Sequence, residues 1–205
     1  MATMPRYPSL YQINARVWLN RLSREAGKRV TLVDIDDATL DGFAEQGLDW
    51  IWLLSVWQTG AAGRAVSRSS PQWRAEFRAV PPALTEDDIC GSGFAITGYT
   101  VSDMLGGERA LTRFRERLAQ RGIKLLLGFV PNHTAPDHPW VRTHPDYYVE
   151  GSEAALADSP QNYLRVETNR EPKILRLRLR SEFSRLARHF APQLHQWRAA
   201  GGASR

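Results

Sequence analysis

Residues 123–140 read IKLLLGFVPNHTAPDHPW, and this stretch decides the fold. An apolar run from Ile123 to Val130 ends at Pro131, and Asn132 and His133 follow at once. Such runs suit strands covered on both faces, as in parallel α/β sheets and barrels. In barrels the functional side chains gather at the C-terminal ends of the strands. The stretch therefore predicts a buried strand over Ile123–Val130 whose end carries Asn132 and His133 into a site.

Just upstream, Gly107 to Arg121 (GERALTRFRERLAQR) has Leu111, Phe114 and Leu118 on one stripe, and Gly122 follows as a C-terminal stop. That is helical spacing. Further back, Asp49 to Val56 (DWIWLLSV) reads as a second buried strand. A helix over Ala38–Gln46 precedes it, with Asp36 and Asp37 at its start and Gly47 at its end. Tyr11 to Leu19 alternates loosely and predicts a first strand. Trp57 to Ser92 reads as irregular, with short helices near Trp73–Phe77 and Glu86–Ile89. Beyond Tyr148 the pattern fades, and Gly151 to Pro160 reads as a loop. Strand and helix alternate with short helix-to-strand turns, as βαβ units require.

Composition bounds the function. At 42% hydrophobic and 24% charged residues the chain is globular in class. The net charge of +5 would suggest an acidic partner, but its placement argues otherwise. Residues 171–205 hold eight Lys/Arg against two Asp/Glu, leaving 19 against 20 in the other 170 residues. The body of the chain has no basic footprint for nucleic acid. One cysteine, Cys90, excludes a disulfide framework. The N-terminus lacks an apolar signal segment and no run is long enough to cross a membrane, so no membrane partner and a cytoplasmic setting are expected. Of the seven tryptophans, Trp50, Trp52 and Trp57 read first as core and second as sugar platforms.

Three segments in order resemble the N-terminal part of the α-amylase superfamily, a glycoside hydrolase family 13-like group of retaining α-glucosidases and transglucosidases. LYQINARVW (residues 10–18) is similar to the family's opening strand. GLDWIWLLSVWQTG (47–60) resembles its second strand and turn. GFAITGYTVSDMLGG (93–107), a helix, and then GFVPNHTAPDHPW (128–140) resemble the approach to the third strand and the first conserved region, Asp-x-x-x-Asn-His. The resemblance covers roughly residues 10–170 and implies an incomplete (β/α)8 TIM barrel. That barrel comprises about the first three βα units, with an irregular excursion between strands 2 and 3. A full barrel of this kind needs about 250 residues.

What the resemblance implies for the site is carried residue by residue. His133 matches a histidine that hydrogen-bonds the sugar, and a neutral imidazole offers one donor and one acceptor to a hydroxyl pair. Phe94 stands where the family often has a sugar-stacking Tyr. Asn132 matches a position that binds calcium in some members, and a turn-stabilising role fits it equally. Gly128 replaces the region's first Asp, and Gly98 precedes Tyr99 where another Asp is common. His133, Asp137, His138, His144 and Asp146 lack the spacing of a catalytic metal site.

The implied substrate is an α-glucan or small α-glucoside. Retaining chemistry needs two carboxyl groups about 5–5.5 Å apart. In the family these follow strands four and five, and no G-x-R-x-D motif occurs after His133, so no catalytic carboxylate is assigned. The expectation is a truncated, inactive copy, with 171–205 a basic, poorly ordered tail that is a frameshift product from about residue 176. The alternatives are a non-catalytic sugar-binding or interaction fragment completed by another chain, or a tail that binds polyanions.

Overall fold

A computed structural model describes residues 7–79, 86, 88–160 and 162–179. The chain divides into two units: residues 1–58 with 100–129, and residues 59–99 with 130–205. The basic tail from residue 180 onward lies outside the described residues.

The first unit is built on a parallel sheet of β1 (Leu10–Asn14), β2 (Trp50–Leu54) and β5 (Lys124–Leu127), in the order β1-β2-β5. The register places Ile13 beside Leu53 and Leu53 beside Leu127. Strand residues alternate between faces. Ile13, Ile51 and Leu53 are buried on the face that also carries half-buried Leu125 and Leu127 and, at its edge, the exposed Tyr11. Helices α1 (Ala15–Ala26), α2 (Asp37–Glu45) and α5 (Gly107–Ala119) belong to this unit. The Trp18 ring meets Phe43 at 6.3 Å and Phe114 at 6.2 Å, so one aromatic seam joins the three helices. Ala110, Leu111, Phe114 and Leu118 are fully buried, as the stripe predicts. Arg117 of α5 and Arg121, just past its end, hold Asp37 at 2.9 Å each, and Arg121 also holds Asp41 of α2. The opposite face carries Leu10, Gln12, Trp50, Trp52, Lys124 and Leu126, and it is partly open, with Leu10 51% and Leu126 38% exposed.

Two predictions for this unit need correction. The first strand does not run to Leu19: it stops at Asn14, whose side chain accepts from the Val17 amide and starts a helix. Ala15 and Leu19 are buried and Val17 is exposed, which is helical spacing hidden under the loose alternation. The strand Ile123–Val130 is likewise shorter, Lys124–Leu127, and it is covered on one face only.

The second unit begins inside the excursion. Here the irregular reading fails at α3 (Ala61–Ser69), while the short helix expected near Trp73–Phe77 is present as α4 (Pro71–Arg78), joined to α3 at Ser70, which caps it. Between them and β2 lies β3 (Trp57–Thr59), and β4 (Ile96–Val101) follows. Around Glu86 there is a turn rather than a helix, with the Ile89 amide donating to the Glu86 carbonyl.

Past residue 138 the structure is more regular than the fading pattern suggests. Helix α6 (Pro139–Thr143) leads into an antiparallel sheet of β6 (Tyr148–Glu150), β7 (Tyr163–Val166) and β8 (Lys173–Leu179), in the order β6-β8-β7. The expected loop at 151–160 contains α7 (Glu153–Asp158), capped by Ser152. Val141, Tyr148, Val166 and Leu175 form this sheet's core. Its strands are short and its helix has six residues, so neither leaves a clear period in the sequence. No helix among the described residues is long and apolar enough to cross a membrane.

Candidate functional site

In the second unit, the segment after β5 is laid alongside β4 by main-chain bonds. The Tyr99 hydroxyl donates to the Val130 carbonyl at 2.8 Å and accepts from the Val130 amide at 3.0 Å. Burial pushes its phenol up to about 12, so the proton needed for donation stays in place. The Ala135 amide donates to the Ile96 carbonyl at 3.0 Å. Between these two ties lie Pro131, Asn132, His133 and Thr134.

His133 is half-buried, and its ring lies beside the Phe94 backbone. Desolvation lowers its pKa, only partly offset by that neighbouring backbone, so the ring is neutral at neutral pH. Nδ1 lies 2.8 Å from Asn132 Oδ1, which can only accept, so Nδ1 carries the proton in this arrangement. The structure thus brings together His133 and Phe94, two candidates 39 positions apart, with the Phe94 ring 46% exposed beside them.

The Asn132 side-chain oxygen is engaged by His133, and the described residues contain no group of three or more His, Cys, Asp or Glu able to hold a metal.

Asp137 and His138 have structural work. Asp137 Oδ2 accepts the Ala62 amide at 3.0 Å, capping α3, whose own N-cap residue, Gly60, offers no side chain. A Cβ on Gly60 would lie 2.0 Å from Asp137 Oδ2, so the cap requires glycine there. His138 is buried, lies tilted against the Trp140 ring with centroids 4.7 Å apart, and accepts the Trp140 amide at Nδ1. Burial pulls its pKa down to about 4. Thr134 and Tyr148 share a buried hydroxyl pair at 2.8 Å, with the Tyr148 phenol raised to about 12 by burial. His144 pairs with Thr143 Oγ1 and stacks on Tyr147. Sequence reasoning missed Tyr99 and Tyr148. Their only signal was an aromatic in a mixed strand, which does not disclose a backbone partner 31 residues away.

The first unit holds its own cluster at the sheet's C-terminal end. Ser55, just past β2, has φ of 60°, the left-handed region that non-glycine residues rarely occupy. Buried Arg16 donates to the Ser55 carbonyl from Nε and to the Trp57 carbonyl from Nη2, fixing that turn. Strained backbone of this kind tends to sit at functional positions. The Trp57 indole donates to the Gly128 carbonyl at 2.6 Å. No atom lies within 4 Å of a Cβ built on Gly128, so a side chain would fit. Of the three tryptophans read as core, Trp57 is buried, whereas Trp50 and Trp52 are half-buried on the partly open face.

A parallel sheet with helices, followed by these strand-end segments, is the α/β fold of the N-terminal part of the α-amylase-type barrel. Solved relatives bear this out at the level of fold. An α-amylase from Lactobacillus plantarum matches 93% of this chain and 36% of its own, at 19% identity and a TM-score of 0.57. A variant trehalose-6-phosphate hydrolase from Bacillus licheniformis matches 95% and 33%, at 18% identity and a TM-score of 0.58. By sequence, an α-1,4-glucan:maltose-1-phosphate maltosyltransferase from Salinibacter ruber is 27% identical over 146 residues. That match takes in 62% of this chain and 20% of the relative. The chain thus spans a fifth of that relative's length and about a third of the two enzymes' lengths. No family model matches it.

Proposed function

We propose that this chain is the first part of an α-amylase-type barrel, about three βα units, in a protein that hydrolyses or transfers α-glucosidic bonds with retention. The observation that carries the reading is the meeting of His133 with Phe94 on the segment that Tyr99 ties down. A neutral imidazole can exchange hydrogen bonds with a sugar hydroxyl, and an exposed aromatic ring offers a face to the sugar's C–H groups. The named relatives act on α-glucans, maltose-1-phosphate or trehalose-6-phosphate, which agrees with an α-glucan or small α-glucoside as substrate.

No carboxylate is assigned as nucleophile or acid/base, and the reading holds that this chain alone turns over no α-glucoside. A reduced, cytoplasmic setting accompanies it. A second reading is a sugar-binding or interaction fragment completed by another chain. It draws on the open sheet face at Leu10 and Leu126, where an apolar surface invites cover.

Titration calorimetry with maltotriose tests the main reading. Binding by the wild-type chain should weaken at least tenfold in His133→Ala and less in Phe94→Ala. Binding that ignores both substitutions would remove the site. Turnover of maltose by the pure chain would refute the inactivity.

A further inference from the structure

The excursion carries an open pocket that the strand-end site does not use. It has a volume of about 400 Å³, within the range of small-molecule pockets. Trp73 and Phe77 of α4 and Ile89 supply apolar walls, Glu76 and Asp88 supply carboxylates, and Cys90 presents its thiol. Ser67 and Ser92 complete the lining with hydroxyls.

The walls are built and held. Arg74 pairs with the Glu86 carboxylate at 2.7 Å, and Arg68 donates to the Glu86 carbonyl. These ties fasten the turn before Ile89 to both helices. Gly91 has φ of 81°, and a Cβ there would lie 2.8 Å from the Gly63 carbonyl carbon of α3. Only glycine allows that approach, so the 89–92 segment is seated against α3 as one wall.

The chemistry of the lining restricts the ligand. Among the described residues no Lys or Arg lines the pocket, which disfavours phosphate, sulfate or carboxylate ligands. Aromatic faces joined to carboxylate acceptors suit a neutral molecule with an apolar face and several hydroxyl donors. We infer that this pocket is a second glycosyl-binding site, holding a neutral sugar ring of an α-glucoside against Trp73 while Glu76 and Asp88 accept from its hydroxyls. The choice of a sugar over an organic cation rests on the proposed function; the pocket itself does not.

Cys90 makes the test direct, because it is the only cysteine of the chain and lines the cavity. Maltotriose should slow alkylation of Cys90 in the full chain several-fold, in a saturable way. Trp73 is 40% exposed, so Trp73→Ala should leave the melting temperature near wild type while abolishing protection. Trp73→Phe, which keeps a platform, should retain part of it. His133→Ala should retain full protection. Absence of protection in the wild type, or equal protection in Trp73→Ala, would overturn the site. Stronger protection by tetramethylammonium than by maltotriose would overturn the sugar assignment. Protection that persists while calorimetry shows no dependence on His133 would leave this pocket standing and remove the strand-end reading instead.

Discussion

The two units solve the same problem by different means. In the first, a three-stranded parallel sheet buries Ile13, Ile51 and Leu53 among helices whose apolar stripes are periodic. In the second, a sheet core of Val141, Tyr148, Val166 and Leu175 is joined by single polar ties: Tyr99 to Val130, Asp137 to the start of α3, Thr134 to Tyr148. The first draws on burial, which is spread over many contacts. The second adds to burial a few hydrogen bonds, each with a small net worth and a larger cost when one partner is lost. Point substitutions should therefore act differently in the two.

The largest effect is expected in the first unit. Phe114→Ala removes a ring that is fully buried and touches Trp18, and should cost about 3–5 kcal/mol, read as a lower denaturant midpoint. A loss below about 1 kcal/mol would show that the seam is not the core of that unit.

Acid should act through the second unit. His138 has a folded pKa of about 4, below the value of 6.5 for an unperturbed histidine. The unfolded chain then binds the extra proton first, so stability is full above pH 6.5 and falls as the pH drops toward 4. The loss should reach at most about 3 kcal/mol, flattening below the folded pKa. His138→Asn keeps an acceptor for the Trp140 amide and should abolish this slope in melts taken across the window. An unchanged slope would assign the acid sensitivity to another group.

A smaller effect is expected at the α3 cap. Asp137→Ala should cost about 0.5–2 kcal/mol, as for other lost caps. Gly60→Ala should cost about the same and no more, since its Cβ displaces only the flexible Asp137 carboxylate from the cap. The double variant should then be less damaging than the sum of the two, because both act on one contact. Additive losses in a double-mutant cycle would mean that the close approach is not what demands glycine.

The smallest effect concerns Gly128. The space beside it is open, so Gly128→Asp should change the melting temperature little. A large destabilisation would show that something fills that space in solution.

Within the first unit, much of the fold was legible before any coordinates. The stripe Leu111, Phe114 and Leu118, the caps at Asp36 and Gly122, and two of the three strands follow from period and end signals. The first strand was over-extended because Asn14 looks the same in a strand as in a cap until its side chain is seen to accept from Val17. In the second unit, α3, α7 and the antiparallel sheet were missed: their elements are three to nine residues long, too short for periodicity to declare.

For the site, residue type and order were enough to single out His133, Phe94 and Asn132 and to bring the α-amylase-type resemblance into view. They also showed that Gly128 replaces the usual Asp. Only the tertiary structure decided that His133 lies beside the Phe94 backbone, that Tyr99 secures the segment, and that Asp137 and His138 serve as caps. The physical reason is range. Helix stripes and strand runs are written in neighbouring residues, whereas a hydroxyl's backbone partner, or the charge state of a buried imidazole, depends on groups that the chain brings together only when it folds.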